Sequence, residues 1–526
     1  MQDAAAKTES APPAADARTA GRGGMAVLGA KLFFLVTGFL QQPLLRLAVG
    51  LGDFGGLAQA MVVSNTVNSV VIQSGTQGVS RVLAGAKGHE EHALRAALRV
   101  HVPLALVVAA AMCAFAPAFA IFERADDVVA PLLVLAGVAL LYGIYAPLIG
   151  ALNGTNRFSR QALLDVIFAT LRTFGLVGFG YEFVRHGASG VLGTTVGWVC
   201  AGAVIVPLAL RSTGFGKAPP AGARPEGVPT SRAYLAMLLP IAGAQLCTNV
   251  LLQIDIALLG RFLSEASTGS GLGGEAQRAA VKQWVAIYKE CQTFAFLPYQ
   301  LLFSVTLILF PMLARAKAEG DATAMRTYVA RGARLAAIFG GLLVGAVVAL
   351  PESMLSFAYP AADAAQGADI LRWMALAQAA FAMLGIATTV LTSIGRERTA
   401  ALLTLAAVIA VGLACWGVVP GAAFGHEQLL RSAQASGGAL LVTMVIAGII
   451  VKAQTGAFVP TSTALRVLLA LAACIALGMV TPRFGRFVTP VIAAAVGAGY
   501  VAVLVALREI GKEDLALVKG IVRRRR

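Results

Sequence analysis

The stretch PLLVLAGVALLYGIYAPLIGAL, residues 131–152, decides the class of fold. It contains no charged side chain and, as a helix, it is long enough to cross the hydrocarbon core of a bilayer. Apolar blocks of similar length recur along the chain between short polar gaps. Because a helix satisfies its own backbone hydrogen bonds in lipid, this pattern predicts an all-α polytopic membrane protein with about 14 transmembrane helices.

The spans are predicted at 25–46, 55–79, 99–122, 129–152, 160–181, 187–210, 233–260, 283–311, 332–352, 368–391, 399–419, 435–452, 463–482 and 487–507.

The composition excludes a soluble enzyme of this size. Of the 526 residues, 58% are hydrophobic and 13% are charged, whereas a soluble surface requires far more charged side chains. The formal net charge of +16 would suit a nucleic-acid partner, but the basic residues lie mostly in the loops between apolar blocks and in the tails. That placement is typical of the charges that orient membrane proteins, so we expect no nucleic-acid partner.

The distribution of Lys and Arg over the loops predicts the orientation in the membrane. Loops on the side of the N-terminus are basic, as at Arg95 and Arg99, whereas the 123–127 loop on the opposite side is acidic. Basic loops stay in the cytoplasm, which predicts a multi-pass protein of the bacterial inner membrane with both termini cytoplasmic. Residues 1–24 lack the apolar core of a signal peptide, and we expect them to form a disordered cytoplasmic tail.

Two pairs of similar segments predict an internal repeat. VLAGAKGHEEHALR, residues 82–95, resembles MLARAKAEGDATAMR, residues 312–326. LNGTNRFSRQALL, residues 152–164, aligns without a gap with LTSIGRERTAALL, residues 391–403. The offsets are 230 and 239 residues, and both pairs join equivalent spans. The repeats keep the same orientation, which predicts two six-helix bundles in parallel pseudo-repeat, related by an axis along the membrane normal.

A Pro- and Gly-rich segment separates the two bundles, and its composition is that of a flexible linker. The last two helices lie outside the repeat and form an extra C-terminal pair. The predicted domains are the tail 1–24, the N-terminal six-helix lobe 25–210, the cytoplasmic linker 211–231, the C-terminal six-helix lobe 232–453, the extra helix pair 463–507 and a basic cytoplasmic tail 508–526.

Polar side chains share one face of span 2, at a depth where lipid would exclude them. They are Asn65, Ser69, Gln73, Gln77 and Arg81, at steps of four, with Asn68 beside them. Span 7 carries a similar face made of Gln245, Asn249 and Gln253. Such faces line either a water-accessible cavity or a hydrogen-bonded seam between helices. We favour the cavity, because Gln and Arg are large for a tight seam.

Span 5 carries Asp165 and Arg172 on one face, about two turns apart. Arg172 falls near mid-span, where a lone guanidinium costs several kcal/mol, so its side chain must meet a partner or water. One interpretation is an anion contact, because the guanidinium fork matches phosphate oxygens. The alternative is a structural ion pair with an acid on another span.

Further intramembrane charges lie on spans 1, 7 and 8. Arg46 and Lys289, with Arg81 and Arg172, are candidate contacts for an anionic headgroup or pyrophosphate. Asp255 and Glu290, with Asp165, are candidates for coupling to a proton or sodium gradient. The alternative is that Asp255 and Glu290 balance Lys289 or Arg261, and that Arg46 only extends its charge to the membrane surface.

Four segments carry a resemblance to the multidrug/oligosaccharidyl-lipid/polysaccharide exporter superfamily, and within it to the polysaccharide-transporter and oligosaccharide-flippase branch. They are LGDFGGLAQAMVVSNTVNSVVIQSGTQGVSRVLA (51–84), GALNGTNRFSRQALLDVIFATLR (150–172), NVLLQIDIALLGRFL (249–263) and the run 288–317, which ends in LILFPMLARAK. The resemblance implies two lobes in a V shape, alternating access, and movement of undecaprenyl-pyrophosphate-linked sugars from the cytoplasm to the periplasm.

The extra helix pair resembles the 14-helix arrangement of the lipid II flippase branch. Span 1, however, has Gln41 and Gln42 where that branch carries an Arg-Asp pair, which disfavours lipid II as cargo. The drug-exporter branch usually has 12 helices and matches less well. A small-molecule antiporter nevertheless stays open as an alternative.

The resemblance therefore predicts a flippase that acts on a lipid-linked glycan, in contact with membrane lipids. Glycosyltransferases or a glycan polymerase of the same pathway are candidate partners. We expect no enzyme activity, no metal site and no cofactor. The alternative outside transport is a membrane glycan polymerase or ligase, but the longest predicted outer loop, 261–282, has no His, and the chain shows no HExxH motif and no phosphate loop.

Overall fold

A computed structural model describes residues 14–86, 88–214, 228–269, 271, 273–481, 485 and 487–511. Over these residues the secondary structure is helical, and no strand occurs, as the sequence predicts. The helices are α1 (Ala14–Gly85), α2 (Glu90–Glu123), α3 (Val129–Gly154), α4 (Phe158–Arg185), α5 (Gly190–Thr213), α6 (Ser231–Leu251), α7 (Ile254–Ser267), α8 (Gly274–Ala318), α9 (Ala322–Ala349), α10 (Pro351–Ala358), α11 (Ala361–Ser393), α12 (Glu397–Val418), α13 (His426–Thr455), α14 (Thr461–Val480) and α15 (Thr489–Ala506).

Helix α1 contains the first two predicted spans. Gly50 interrupts it with φ 81° and ψ 171°, so the helix has two arms, α1a (14–49) and α1b (51–85). Glycine adopts this backbone conformation because it lacks a Cβ. The helix begins at Ala14, so the expected disordered tail is wrong for 14–24, where several Ala residues favour a helix. Residues 1–13 of that predicted tail lie outside the described residues.

Twelve helical segments of the described chain are long and apolar enough to cross a membrane. One of them, Gly29–Gly85, contains the break at Gly50 and supplies two crossings. Helix α8, with 45 residues, is about 68 Å long and supplies another. The fold is therefore a multi-pass bundle of fourteen crossings. We name its two ends inner and outer after the orientation that the charge bias predicts.

The repeat is visible in matching helix junctions. Between α3 and α4, the N–H of Arg157 donates to the carbonyl oxygen of Leu152 at 2.8 Å. The residue before it, Asn156, has a positive φ of 57°. Between α11 and α12, 239 residues later, the N–H of Arg396 donates to the carbonyl oxygen of Leu391 at 2.8 Å, after Gly395 with φ 75°. Equivalent loops in the two halves thus turn the chain in the same way.

Span 7 is not the single helix predicted over 233–260. The chain breaks at Leu252 and Gln253 into α6 and α7. The carboxylate of Asp255 accepts the N–H of Ile256 at 2.8 Å in the first turn of α7, an interaction that favours starting a new helix there. The predicted outer loop 261–282 is also wrong, because α7 continues to Ser267 and α8 begins at Gly274.

The extra pair, α14 and α15, packs on α9 of the C-terminal lobe. Glu509, just beyond α15, accepts from Arg334 at 2.8 Å, from Arg466 at 2.7 Å and from Thr463 at 2.7 Å. Glu509, the second residue of the predicted tail 508–526, is thus buried among these partners. Residues 512–526, and 215–227 of the predicted linker, lie outside the described residues.

Candidate functional site

The two lobes are joined near the outer end by one arginine and two acids. Arg46 on α1a donates to Glu290 on α8 at 3.0 Å and to Asp363 on α11 at 2.6 Å. The side chains of Glu290 and Asp363 are 1% and 10% exposed. Headgroup binding by Arg46 stays a prediction, and in this conformation two carboxylates occupy its guanidinium. The partner of Glu290 is Arg46, and not Lys289 or Arg261.

A second set of ion pairs joins the lobes at the outer surface. Lys282 on α8 contacts Asp127, which lies in a short 3-10 turn (Asp126–Val128) after α2. Weaker pairs connect Arg278 with Asp126 at 3.9 Å and Arg124 with Glu265 at 3.7 Å. The α1b–α2 side of the N-terminal lobe is therefore closed against α7 and α8 at this end.

The inner end is closed by a neutral contact between the same two lobes. His101 on α2 is hydrogen-bonded through Nε2 to the hydroxyl of Tyr234 on α6 at 2.7 Å, and both side chains are buried. Tyr234 and Leu238 also pack against Gly78 of α1b, where a Cβ would leave no space. The lobes thus meet at both ends of this interface.

Most of the polar face of α1b lies between these two closures, and its last member, Arg81, lies beyond Gly78 towards the inner end. Asn68 is buried and donates to Ser64 of its own helix at 2.9 Å. The five members at steps of four become more exposed towards the inner end, where Gln77 and Arg81 are exposed. Among the described residues, none of the five makes a side-chain hydrogen bond. They are Asn65, Ser69, Gln73, Gln77 and Arg81. A hydrogen-bonded seam is not formed along this face in the structure.

The polar face of span 7 ends at the break between α6 and α7. Asn249 donates to the carbonyl oxygen of Gln245 at 2.8 Å, one turn earlier on the same helix. Gln253 stands at the break itself, half-buried, at the start of α7. Broken helices near mid-membrane expose backbone polar groups that are tolerated only where protein or water satisfies them.

Asp255 begins a polar cluster in the C-terminal lobe. Its Oδ2 accepts a hydrogen bond from the Tyr288 hydroxyl at 2.8 Å, and Tyr288 lies 3.4 Å from the Ser432 hydroxyl. Lys289, next to Tyr288 on α8, donates to the side-chain oxygen of Gln292 at 2.8 Å and lies close enough to Asp255 for their charges to attract. The cluster draws together α7, α8 and α13.

Arg172 lies mid-way along α4 and faces α1a. Its guanidinium carbon is 4.6 Å from the centre of the Phe34 ring, and its Nε is buried without a hydrogen-bond partner. No carboxylate pairs with Arg172 in the part of the chain that the structure describes. A cation–π contact stabilises by about 0.5–2 kcal/mol, less than the several kcal/mol that a guanidinium costs at this depth. The hydroxyl of Tyr142 also lies close enough to the guanidinium to accept a hydrogen bond. The remaining cost requires water or an anion.

Asp165, seven residues before Arg172, has a different neighbour. Lys31 on α1a approaches it closely enough for the two charges to attract. The structure therefore separates the two charged groups that the sequence places on one face of α4, since Asp165 has Lys31 as its nearest attracting charge and Arg172 faces Phe34. Arg81 lies apart from both, exposed at the inner end of α1b.

Sequence inspection missed three groups that join the lobes. Asp363 stands at the start of α11, and Glu123 was assigned to an acidic loop although its side chain is fully buried. Tyr234 carries no charge, so its position at a helix start gave no signal. Pairing partners more than a hundred residues apart are fixed by tertiary packing, which local patterns do not encode.

Solved structures of other proteins show the fold. A structure of the lipid II flippase MurJ in an inward closed conformation aligns with TM-score 0.68, at 14% identity, over 93% of this chain and 99% of that chain. An inward-facing multidrug resistance MATE family transporter of the MOP superfamily aligns with TM-score 0.62, at 14% identity, over 82% of this chain and 98% of that chain.

A MOP superfamily transporter from Pyrococcus furiosus aligns with TM-score 0.56 at 14% identity, over 82% of this chain and 95% of that chain. No protein-family model matches the sequence, and no curated protein is significantly similar to it. The chain therefore has the polytopic all-α fold of these transporters, which confirms the fold expected from the resemblance.

Proposed function

We propose that the protein is an alternating-access flippase of the bacterial inner membrane. It would move a polyprenyl-pyrophosphate-linked oligosaccharide from the cytoplasmic to the periplasmic leaflet for assembly of a cell-surface polysaccharide. The fold supports this proposal, since it is shared with a lipid II flippase and with MATE transporters. Both termini would then lie in the cytoplasm, on the side of the basic loops.

The proposal depends mainly on the surroundings of Arg172. This residue holds a permanent positive charge at mid-membrane, and among the described residues no acid neutralises it. A pyrophosphate supplies the missing negative charge and accepts two parallel hydrogen bonds from one guanidinium. Lys289 and Arg81 are further candidate cations, whereas Arg46 is already engaged by two acids.

The unpaired amides suit the saccharide. Gln73 and Gln77 of α1b, with Gln245 and Gln253 of span 7, offer both donors and acceptors without a fixed charge. Hydroxyl groups of a sugar form hydrogen bonds with such side chains, which would replace the water lost on entry. These amide side chains lie between the inner closure at Tyr234 and the outer ion pairs, so they would line the space that holds the headgroup.

An apolar groove suits the lipid chain. A cavity of about 720 Å³ lies between α8, α9 and α15 and is lined almost wholly by apolar side chains, among them Leu297, Leu342 and Val501. One of its walls is Phe294, whose ring meets Phe39 of α1a at 5.2 Å. The groove therefore adjoins the contact between the two lobes, where a lipid tail would enter beside its headgroup.

Two related functions remain as alternatives. The alignment with a lipid II flippase over 93% of this chain favours lipid II as cargo, whereas Gln41 and Gln42 replace the charged pair of that branch. The likeness to MATE transporters favours a small-molecule antiporter. In either case Asp255 and Glu290 are the proposed coupling groups, driven by a proton or sodium gradient, with Asp165 as a third candidate.

The test is flipping by the purified full-length protein in liposomes. A fluorescent polyprenyl-pyrophosphate oligosaccharide is placed in both leaflets, and an impermeant quencher reports exchange between them. We expect the wild type to exchange the lipid faster than protein-free vesicles. Arg172→Ala should remove this acceleration, because the headgroup loses its cation at mid-membrane.

The matched control is Arg185→Ala at the exposed outer end of the same helix, where 66% of the side chain is accessible. It should flip at the wild-type rate. Wild-type exchange by Arg172→Ala would contradict the proposal, as would the absence of exchange by the wild type. Competition with lipid II and with cationic drugs, each in excess, separates the two alternatives from an oligosaccharide cargo.

A further inference from the structure

Glu123 lies at the end of α2 with its side chain fully buried. Its Oε2 accepts one hydrogen bond, from the amide Nε2 of Gln59 on α1b at 3.1 Å. Its Oε1 is buried without a hydrogen-bond partner, and so is Oε1 of Gln59, whose side chain is 1% exposed. Two oxygens of adjacent groups thus lie buried at one site without a protein partner.

The burial of Glu123 comes from the opposite lobe. Gly260 on α7 packs directly against its carboxylate, so that a Cβ at this position would collide with Oε2. Gln59 and Glu123 belong to the N-terminal lobe and Gly260 to the C-terminal lobe. Any separation of the lobes at the outer end therefore exposes Glu123 to water, and closure buries it again.

The charges around Glu123 have other partners, although the charge of Arg261, whose Nε is buried without a hydrogen-bond partner, also reaches Glu123. Arg261 on α7 donates to the carbonyl oxygen of Phe122 at 3.2 Å and stacks over Phe122 and Trp416. Arg124 faces Glu265. From α8, Arg278 faces Asp126 and Lys282 contacts Asp127. On α1b, Asp53 accepts the N–H of Gly190 at 2.7 Å. No cation lies within 4 Å of Glu123 among the described residues.

An ionised carboxylate in this position would be expensive. Burying one without a cation in direct contact costs more than a single hydrogen bond from a neutral amide and a more distant Arg261 return, so the group takes up a proton instead. A protonated Glu123 also has an O–H to offer to the amide oxygen of Gln59 after rotation of that amide. Side-chain amide orientations are exchangeable in this way.

We propose that Glu123 is a proton-binding site that is occupied when the two lobes close at the outer end. On opening, Glu123 is hydrated and releases the proton to the outer aqueous phase; on closing, it takes one up. Because the closed state binds one more proton than the open state, acidification of the outer side must shift the population towards closure. This inference rests on the lobe movement of the proposed function, but not on the identity of the cargo.

The test measures the distance between the lobes rather than transport, so its result does not depend on the identity of the cargo. Spin labels are placed at Arg185→Cys on the N-terminal lobe and Gln366→Cys on the C-terminal lobe, both exposed near the outer end. The six native cysteines are replaced, and the full-length protein is studied in lipid nanodiscs. We expect the short-distance population to grow as the pH falls from about 8.5 to about 5.5, a range that includes neutral pH.

Three variants sharpen the result. Glu123→Gln is neutral at every pH and nearly isosteric, so it should hold the short distance throughout and lose the pH response. Gln59→Leu removes the Gln59 hydrogen bond from both forms of Glu123, and the ionised form loses more because its hydrogen bond is charge-assisted. It should therefore raise the pH midpoint of opening by about half a unit or more. Glu275→Gln, an exposed acid near the start of α8 at the same end, should respond to pH like the wild type.

A pH response in Glu123→Gln equal to that of the wild type would overturn the proposal. So would a wild type whose distances follow sodium concentration rather than pH, because the site would then hold a metal cation. Distances between the spin labels that do not change with pH in the wild type would also overturn the proposal. If the distances follow the proposal while no lipid-linked saccharide is flipped, the proposed cargo fails and the proton site stands.

Discussion

Single charged side chains decide what the membrane interior of this protein can do. Arg46 forms ion pairs with Glu290 and Asp363, and Asp165 lies near enough to Lys31 for their charges to attract. Arg172 alone among these has no opposite charge paired with it among the described residues, and its neighbours are the Phe34 ring and the Tyr142 hydroxyl. A guanidinium without an opposite charge destabilises the protein at this depth. We therefore propose that Arg172 binds the anionic headgroup of the cargo.

Arg172→Lys tests the geometry of this contact rather than its charge. An ammonium keeps the positive charge but cannot form two parallel hydrogen bonds to a pyrophosphate. We expect flipping in liposomes to fall at least about tenfold, corresponding to the loss of one charge-assisted hydrogen bond. Folding should be unchanged, as judged by the elution volume and the thermal midpoint.

A competition experiment with the same variant shows which group the guanidinium of Arg172 recognises. If Arg172 binds the pyrophosphate, a soluble pyrophosphate in excess should slow the wild type more than the Lys variant. An Arg172→Lys protein that flips at the wild-type rate would mean that charge alone suffices at this position, and the bidentate contact would be abandoned.

The sequence predicted the depth of Arg172 but not its surroundings. Its position in an apolar block shows that the guanidinium lies in the membrane, whereas the choice between an acid and an anion depends on other helices. The same limit applies to Arg46, whose partners Glu290 and Asp363 are 244 and 317 residues away. Contacts over such separations follow from the packing of the lobes and have no local signature.

At the scale of elements, apolar blocks located the helices well and their ends poorly. Spans 13 and 14 fall within a few residues of α14 and α15. Helix α8, however, runs far beyond its predicted span into the aqueous phase, where Arg278 and Lys282 find acidic partners. The break in span 7 was missed because Leu252 and Gln253 are ordinary helix formers.

The extra helix pair is attached through Glu509. Burial alone would raise the pKa of this carboxyl, but hydrogen bonds from Thr463, Arg334 and Arg466 outweigh it and hold the pKa below the ordinary value of 4.5. Glu509→Gln should therefore destabilise the protein at neutral pH, by about 1–3 kcal/mol, because a hydrogen-bonded charge is removed from two arginines. Thermal unfolding in detergent measures the effect.

The pH dependence of stability shows whether the ionised form of Glu509 is the stabilising one. A carboxyl with a lowered folded-state pKa contributes stability above its unfolded pKa and loses it as the pH falls through the folded value. The difference in thermal midpoint between wild type and Glu509→Gln should be full at pH 7 and shrink on acidification below about 4.5. Glu319→Gln, an exposed acid at the end of α8, serves as control and should change little. If the difference in thermal midpoint were the same at all pH values, the charge of Glu509 would not be what stabilises the protein.

At the scale of the whole molecule, the two lobes touch at both ends of one interface. The inner contact is neutral, through His101 and Tyr234, whereas the outer contacts are ionic, through Arg46 and through Lys282 with Asp127. The repeat predicted that two similar halves would pack together, and the matching junctions at Arg157 and Arg396 show how the chain builds them. Which ends are closed could not be predicted, because both closures join residues from different halves.

A closure that belongs to a transport cycle must open. Asp127→Cys and Lys282→Cys, placed in a background without the native cysteines, should be joined by a short thiol-reactive cross-linker, since the two side chains are in contact. We expect the cross-linked protein to lose flipping of the lipid-linked saccharide, because the outer end can no longer separate. A cleavable linker should restore the rate on reduction.

The matched control joins Glu182→Cys to Arg185→Cys, two exposed positions one turn apart on α4, within a single lobe. That link adds the same chemical group near the same end and leaves the lobes free to move, so flipping should persist. If the linked outer pair flipped lipid at the unlinked rate, the ionic contacts at this end would be fixed structure. The movement would then have to occur elsewhere in the bundle, and the exposure of Glu123 on opening would lose its basis.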